Sequence, residues 1–251
     1  MKIDLYAHRL SQPSRAVEIL LRELAIPYTW HAVDFANGET RQAWFARHVN
    51  AFETIPALVV EADDAAPETA PLRLAESQAI MRYLCRIAPD REAGAHWYAT
   101  DDALRCARTD TWLAWHHNNV RAFDMFHDIM NLHLTLPMLK YELQANKLKP
   151  LQDGLRGGLA QLERQLAGQT GPTPTLGGQE HPDLADLAIA CELYQIAAVG
   201  YRFTGFAHVA RWLQAMAERP HFRDVSREIL DQGRTIRDQS GDYLDLASAF
   251  A

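Results

Sequence analysis

The chain is poor in the features that mark several protein classes. It has three cysteines, at 85, 106 and 191, in 251 residues. They are odd in number, widely separated and form no Cys-x-x-Cys pair, which argues against a disulfide framework or a thiolate metal or redox motif and predicts a reducing, cytoplasmic setting. No apolar run approaches the length of a bilayer-spanning helix. The first residues, Met-Lys-Ile-Asp-Leu-Tyr, alternate charged and apolar positions and build no apolar signal core. Lys and Arg number 25 against 32 Asp and Glu, a formal net charge of -7, and no basic block is interleaved with aromatics. That balance argues against binding to nucleic acid or to an anionic membrane surface. No internal repeat is visible. What remains is a chain 48% hydrophobic, enough to pack one large domain or two modest ones.

The first third alternates short strand and helix signals. Residues 3–7 read as a strand. Ala16, Val17, Leu20, Leu21 and Leu24 then recur at helical spacing, predicting a helix over about 12–24. Ser11 stands at the junction, followed by Pro13 in the first turn, where a proline lacks only an N–H that would have no intrahelical acceptor. A hydroxyl there either caps the helix or faces a ligand at its anion-friendly end. A second strand is predicted at 28–33, a short helix around 42–47, and a strand after Pro56, which must lie at that strand's start or edge. Leu72 and Leu74 mark another short strand, and a helix starting near Glu76-Ser77 carries Ile80, Tyr83, Leu84 and Ile87 on one face. The order is βαβ then ββα.

From 89 to 99 the periodic signal stops, and a domain boundary is expected there, giving an N-terminal domain 1–88, a linker 89–99 and an all-helical domain 100–251. A long helical segment over 101–131 places Leu104, Arg108, Thr111, Trp115 and Asn118 on one approximate face. Leu151, Leu155, Leu159, Leu162 and Leu166 define an amphipathic helix despite Gly154, Gly157 and Gly158, which permit close helix approach. Asp183 reads as a helix cap, with Asp186 near the positive end of the dipole. The next helix would bury Leu187, Ala188, Cys191, Tyr194 and Ala198. A further helix over 206–217 offers Val209, Trp212, Leu213 and Met216. After Pro220, Phe222, Val225, Ile229 and Leu230 fit one more helix, and Tyr243, Leu244, Leu246 and Phe250 give the tail a second small apolar set.

These patches, taken together, resemble the glutathione transferase family, and within it the theta class. The resemblance is carried by Ser11-Gln12-Pro13-Ser14-Arg15-Ala16-Val17, Asn50 with Ile55-Pro56-Ala57-Leu58, Leu74-Ala75-Glu76-Ser77-Gln78-Ala79-Ile80 with Tyr83-Leu84, Asp110 with Leu113-Ala114-Trp115-His116-His117, and Asp183-Leu184-Ala185-Asp186-Leu187. It implies an α/β thioredoxin-like N-terminal domain followed by an all-α domain, with glutathione as co-substrate and a small hydrophobic electrophile entering an apolar cleft. The serine matching Ser11 would donate a hydrogen bond to the glutathione sulfur. Pro56 matches a cis-proline that exposes the backbone of Ile55 to the cysteinyl amide. Glu76 and Ser77 match the residues that hold the γ-glutamyl amine and carboxylate, and Arg41 is placed to meet the glycyl carboxylate. Arg121 matches an arginine near the cleft, with Asn118 one turn before it. The family also implies a two-fold homodimer and a C-terminal segment that covers the cleft.

Two departures stand out. The interval from Ser11 to Asn50 is one residue longer than in the theta pattern, and Thr54 occupies the place of a common lysine, which removes one charge partner for glutathione. A non-catalytic glutathione-binding or interaction module, and a glutathione-dependent dehalogenase or peroxidase, remain open alternatives. His116, His117, His127 and His133 do not converge on one helix face or complete a metal-ligand spacing, so no metal is expected. Met125 to Met130 with Trp112 and Trp115 read as core or cleft wall.

Overall fold

The computed structural model describes residues 1–35, 37–63, 70–125, 128, 140–169, 174–240 and 245–251. The chain divides into two compact units, Met1–Ala103 and Leu104–Ala251.

The first unit is built on a four-stranded sheet: β1 (Lys2–Ala7), β2 (Thr29–Ala32), β3 (Ala57–Glu61) and β4 (Leu72–Leu74), in the spatial order β2-β1-β3-β4. β1 and β2 run parallel, as their connection through helix α1 (Gln12–Glu23) requires, whereas β3 is antiparallel to both β1 and β4. Side chains alternate across β1. Ile3, Leu5 and Ala7 are buried with Val17, Leu20 and Leu21 of α1 and with Ile80, Met81 and Leu84 of helix α3 (Ser77–Ile87). Tyr6 points the other way and packs with Val33, Phe45, Val49, Ala57 and Val59; Phe45 comes from the short helix α2 (Ala43–His48). The sheet is therefore covered on both faces, and the βαβ–ββα order predicted from periodicity is the order observed.

Residues 89–99 are not the structureless connector that their aperiodicity suggested. They hold helix α4 (Arg91–Trp97), whose first turn is capped by Asp90, its carboxylate accepting from the N–H groups of Glu92 and Ala93 at 2.8 and 3.3 Å. The helix lies so close to α3 that a Cβ on Gly94 would stand 2.3 Å from the carbonyl oxygen of Cys85. Seven residues are too few for a period to declare itself.

The second unit is helical: α5 (Ala103–Asn119), α6 (Lys140–Ala167), α7 (Leu184–Val199), α8 (Ala207–Glu218), α9 (Pro220–Val225) and α10 (Arg227–Ser240). Three expectations are corrected. The helix expected over 101–131 stops at Asn119 and gives way to a 3-10 turn, Arg121–Phe123. Its buried residues are Thr109, Leu113 and His116, while Leu104, on the face anticipated from sequence, is 73% exposed. The segment after Pro220 is two helices, α9 and α10, separated at the buried Ser226. His127, Met130, His133, Tyr243 and Leu244, named in the sequence reading, lie outside the described residues, as does most of the acidic connection after β3.

α7 is the centre of this unit, buried on nearly every side and not along one face alone. Its start is fixed by a reciprocal cap. Asp183 accepts from the N–H groups of Ala185 and Asp186 at 2.8 and 3.2 Å, and Asp186 accepts from the Asp183 N–H at 3.0 Å. The fully buried Asp186 also receives the Leu176 N–H at 3.0 Å and the Trp212 indole N–H at 2.8 Å. Burial and the neighbouring Asp183 charge push its carboxyl up, against the pull of those donors. Leu155, Leu159, Leu162 and Leu166 of α6 are buried, and Gly158 admits the close approach expected of it: a Cβ there would meet the Asn119 carbonyl oxygen at 2.3 Å.

Candidate functional site

Strand register gathers the predicted site residues of the first unit. Parallel β1 and β2 finish together, with Ala7 opposite Ala32, and β3 begins beside the end of β1, with Ala57 opposite Tyr6. β4 finishes there too, since Leu74 lies opposite Leu58. Ser11 after β1, Ile55 and Pro56 before β3, and Glu76 and Ser77 after β4 therefore share one end of the sheet, whereas Arg41 follows β2 at a longer interval, in the 3-10 turn Glu39–Arg41. α1 and α3 both start at that end, so two helix N-termini bring their positive dipole ends to it.

The local geometry at each position is specific. Ser11 is the N-cap residue of α1, half-buried, with extended backbone (φ -83°, ψ 119°), yet its hydroxyl makes no capping hydrogen bond. Its main chain is engaged: the Ser11 N–H donates to the His8 carbonyl and the Ser11 carbonyl accepts from the Arg15 N–H, both at 3.0 Å. The Ile55–Pro56 bond is cis. The turn before it is clamped by the buried Asn50, whose side-chain amide donates to the Thr54 carbonyl and hydroxyl at 2.8 and 3.0 Å, while its oxygen accepts from the Phe52 N–H at 2.9 Å. Glu76 is exposed at the N-cap of α3 with φ 63°, a left-handed conformation that a side chain resists, and it too makes no side-chain cap. Ser77, next in line, is half-buried. Arg41 is exposed in the 3-10 turn Glu39–Arg41. Cys85, on the buried face of α3, is no nucleophile at neutral pH, because burial pushes its thiol up to about 12.

A model of the N-terminal domain of glutathione S-transferase matches residues 11–87, and one of the C-terminal domain matches residues 101–215. The chain belongs to the glutathione transferase family. Glutathione S-transferase T1 of Arabidopsis thaliana is 30% identical over 241 residues, covering 92% of this chain and 89% of the relative. T3 of the same plant is 30% identical over 90% of this chain, which spans only 36% of that longer protein. A crystal structure of human glutathione transferase theta-2, in complex with glutathione and an unknown ligand, superposes with a TM-score of 0.74 at 26% identity, covering 99% of this chain and 94% of that one. The transferase fold, a mixed sheet-and-helix domain followed by an all-α domain, is the one described above, and theta-class proteins are among the relatives.

In this transferase the two remaining predicted residues lie in the helical unit. Asn118 is exposed near the end of α5. Arg121 is 38% exposed, and its guanidinium is drawn to Glu192 of α7 at 3.4 Å; the same carboxylate oxygen lies 3.2 Å from the Nε2 of the buried His116. That His116–Glu192–Arg121 group was not read from sequence, because a pair 76 residues apart leaves no local signal. Two further groups were missed. Asn50 had no role assigned, and Thr54 proves to be its partner. Glu18 and Arg9 form an ion pair beneath the Ser11 loop. For Glu18, the only local sign was Arg22 at the i+4 position.

Proposed function

We propose that the protein binds reduced glutathione at the end of the sheet and activates it through Ser11. The Ser11 hydroxyl donates a hydrogen bond to the glutathione sulfur and stabilises the thiolate, which attacks an apolar electrophile. A carbon–sulfur bond forms as a leaving group departs or a double bond or epoxide opens. The observation that carries this reading is the Ser11 hydroxyl itself. It stands at a helix N-terminus, where a serine ordinarily caps, and makes no cap, at the sheet end shared with cis-Pro56, Glu76 and Ser77. A thiol titrates near about 8.5, and each unit of lowering corresponds to about 1.4 kcal/mol in favour of the thiolate.

The other groups divide the tripeptide. The Ser77 hydroxyl and the first turn of α3 receive the γ-glutamyl carboxylate, Glu76 offsets the ammonium, the Ile55 backbone meets the cysteinyl amide, and Arg41 meets the glycyl carboxylate. Arg121 serves as a cleft residue of the helical unit, with Asn118 just before it in the chain. The chain works as a two-fold homodimer. Among the described residues no helix is long and apolar enough to cross a membrane. Purified protein with glutathione and a panel of alkyl halides, epoxides, activated aryl halides and organic peroxides tests the reading. Turnover that falls about ten- to a hundredfold in Ser11→Ala, with glutathione affinity kept, supports it, since a hydrogen bond to a charged group is worth about 1.5–3 kcal/mol. No turnover of any of them by the native chain would favour a non-catalytic binding module.

A further inference from the structure

The loop that presents Ser11 is held by a charged assembly that the glutathione site does not itself require. Glu18 lies on α1 with a fully buried carboxylate, 0% exposed. Arg9, two residues before Ser11, grips it with both arms of its guanidinium: Nε donates to Oε2 at 2.9 Å and Nη2 to Oε1 at 2.8 Å. Oε1 also accepts from Arg22 Nη2 at 2.6 Å and from the Tyr28 hydroxyl at 3.1 Å. The Arg9 guanidinium lies 4.9 Å from the centre of the Trp30 ring on β2, and the Arg9 carbonyl accepts from Arg15 Nη1 at 2.9 Å. Arg9 is thus fixed through its side chain and its backbone together. The loop closes on itself as well, with the Leu10 N–H donating to His8 Nδ1 at 3.1 Å.

Burying a carboxylate among arginines is not an economical way to stabilise a helix. Well-packed apolar residues of similar size commonly do as well or better. What the pair does, and an apolar contact would not, is hold a surface loop in one orientation through a rigid, two-bond fork. We infer that Arg9 and Glu18 are positioning residues that hold the β1–α1 loop so that the Ser11 hydroxyl meets the glutathione sulfur. This rests on the serine reading above. An error of about 1 Å in such a contact can cost up to about a hundredfold in rate.

The test titrates enzyme-bound glutathione by the ultraviolet absorbance of its thiolate, alongside the pH profile of kcat/KM. It compares the native chain with Ser11→Ala, Arg9→Gln, Arg9→Lys and the double variant Ser11→Ala/Arg9→Gln. Arg9→Lys keeps the charge at a partly exposed position and loses only the fork, so it guards against a variant that fails to fold. Expected are upward shifts of the thiol titration in Arg9→Gln and Arg9→Lys alike, leaving about three- to tenfold less thiolate at neutral pH. The Ser11→Ala background should abolish any further effect of Arg9→Gln, because Arg9 acts through Ser11. A native-like titration in Arg9→Lys, or an Arg9→Gln effect that persists in full without Ser11, would overturn the inference while leaving the serine reading intact. An unshifted titration in Ser11→Ala itself would remove both.

Discussion

A serine at a helix start that does not cap is the residue on which the proposed chemistry turns, and its neighbours show why side-chain roles were only partly legible. Ser11, Pro56, Glu76 and Ser77 could be placed at element boundaries because strand and helix periods end beside them, and the register then brings them together. Asn50, Thr54, Arg9 and Glu18 could not be assigned roles, since their partners depend on a turn shape and a loop path that no period encodes. Thr54, which looked like a lost charge partner, accepts two hydrogen bonds from Asn50 and supports the turn before cis-Pro56. Glu76 carries backbone strain of about 1–3 kcal/mol at its positive φ. Glu76→Gly, which relieves that strain and adds back about 0.5–1 kcal/mol of chain entropy cost, is expected to leave thermal stability level or raised while weakening glutathione binding. A lowered melting temperature with unchanged binding would contradict both roles. Glu163 offers a pH test. Burial opposes its ionisation, but the N–H groups of Val209 and His208 and the His208 ring outweigh burial and hold the carboxyl below its ordinary value. Its contribution is therefore complete above the unfolded-state value and is lost as the pH falls through the lower folded one. Glu163→Gln should cost about 1 kcal/mol at neutral pH and flatten the acid side of the stability curve, read by denaturant unfolding across pH.

At the scale of elements, the helices and strands with sustained periods were readable, and the failures share a cause. α4 is too short to show a period, the predicted face of α5 was drawn from large side chains when Thr109 and His116 are among those buried, and one apolar set after Pro220 concealed a break at Ser226. Caps and close approaches hold these pieces. Asp183 caps α7 and also accepts the Thr109 hydroxyl at 2.7 Å, so Asp183→Ala is expected to cost about 2 kcal/mol, measured by chemical unfolding. Gly94→Ala forces a methyl against the Cys85 carbonyl and should cost about 1–3 kcal/mol by the same measurement; an unchanged midpoint would show that α4 shifts freely. The end of the tail is docked. Phe250 is fully buried, stacked 5.8 Å from Phe203, and its carbonyl accepts the Gly205 N–H at 2.8 Å; Arg156 donates to the Ala249 carbonyl. Phe250→Ala should therefore destabilise by about 3–5 kcal/mol, a size that a frayed end would not produce.

For the whole molecule, the switch from mixed to helical periods pointed to a mixed sheet-and-helix domain followed by an all-α domain, which is the fold observed. The second substrate was not legible, because a cleft is defined by side-chain directions that sequence periods do not give. The homodimer proposed for the intact chain is checked by light scattering at micromolar concentration, where the mass of a single chain would contradict it. The chemistry proposed for that assembly stands or falls on the thiol of bound glutathione. Titrated by thiolate absorbance on the native protein, that thiol is expected to ionise well below the free value of about 8.5, and in Ser11→Ala to return toward it; identical titrations in the two proteins would contradict activation by Ser11.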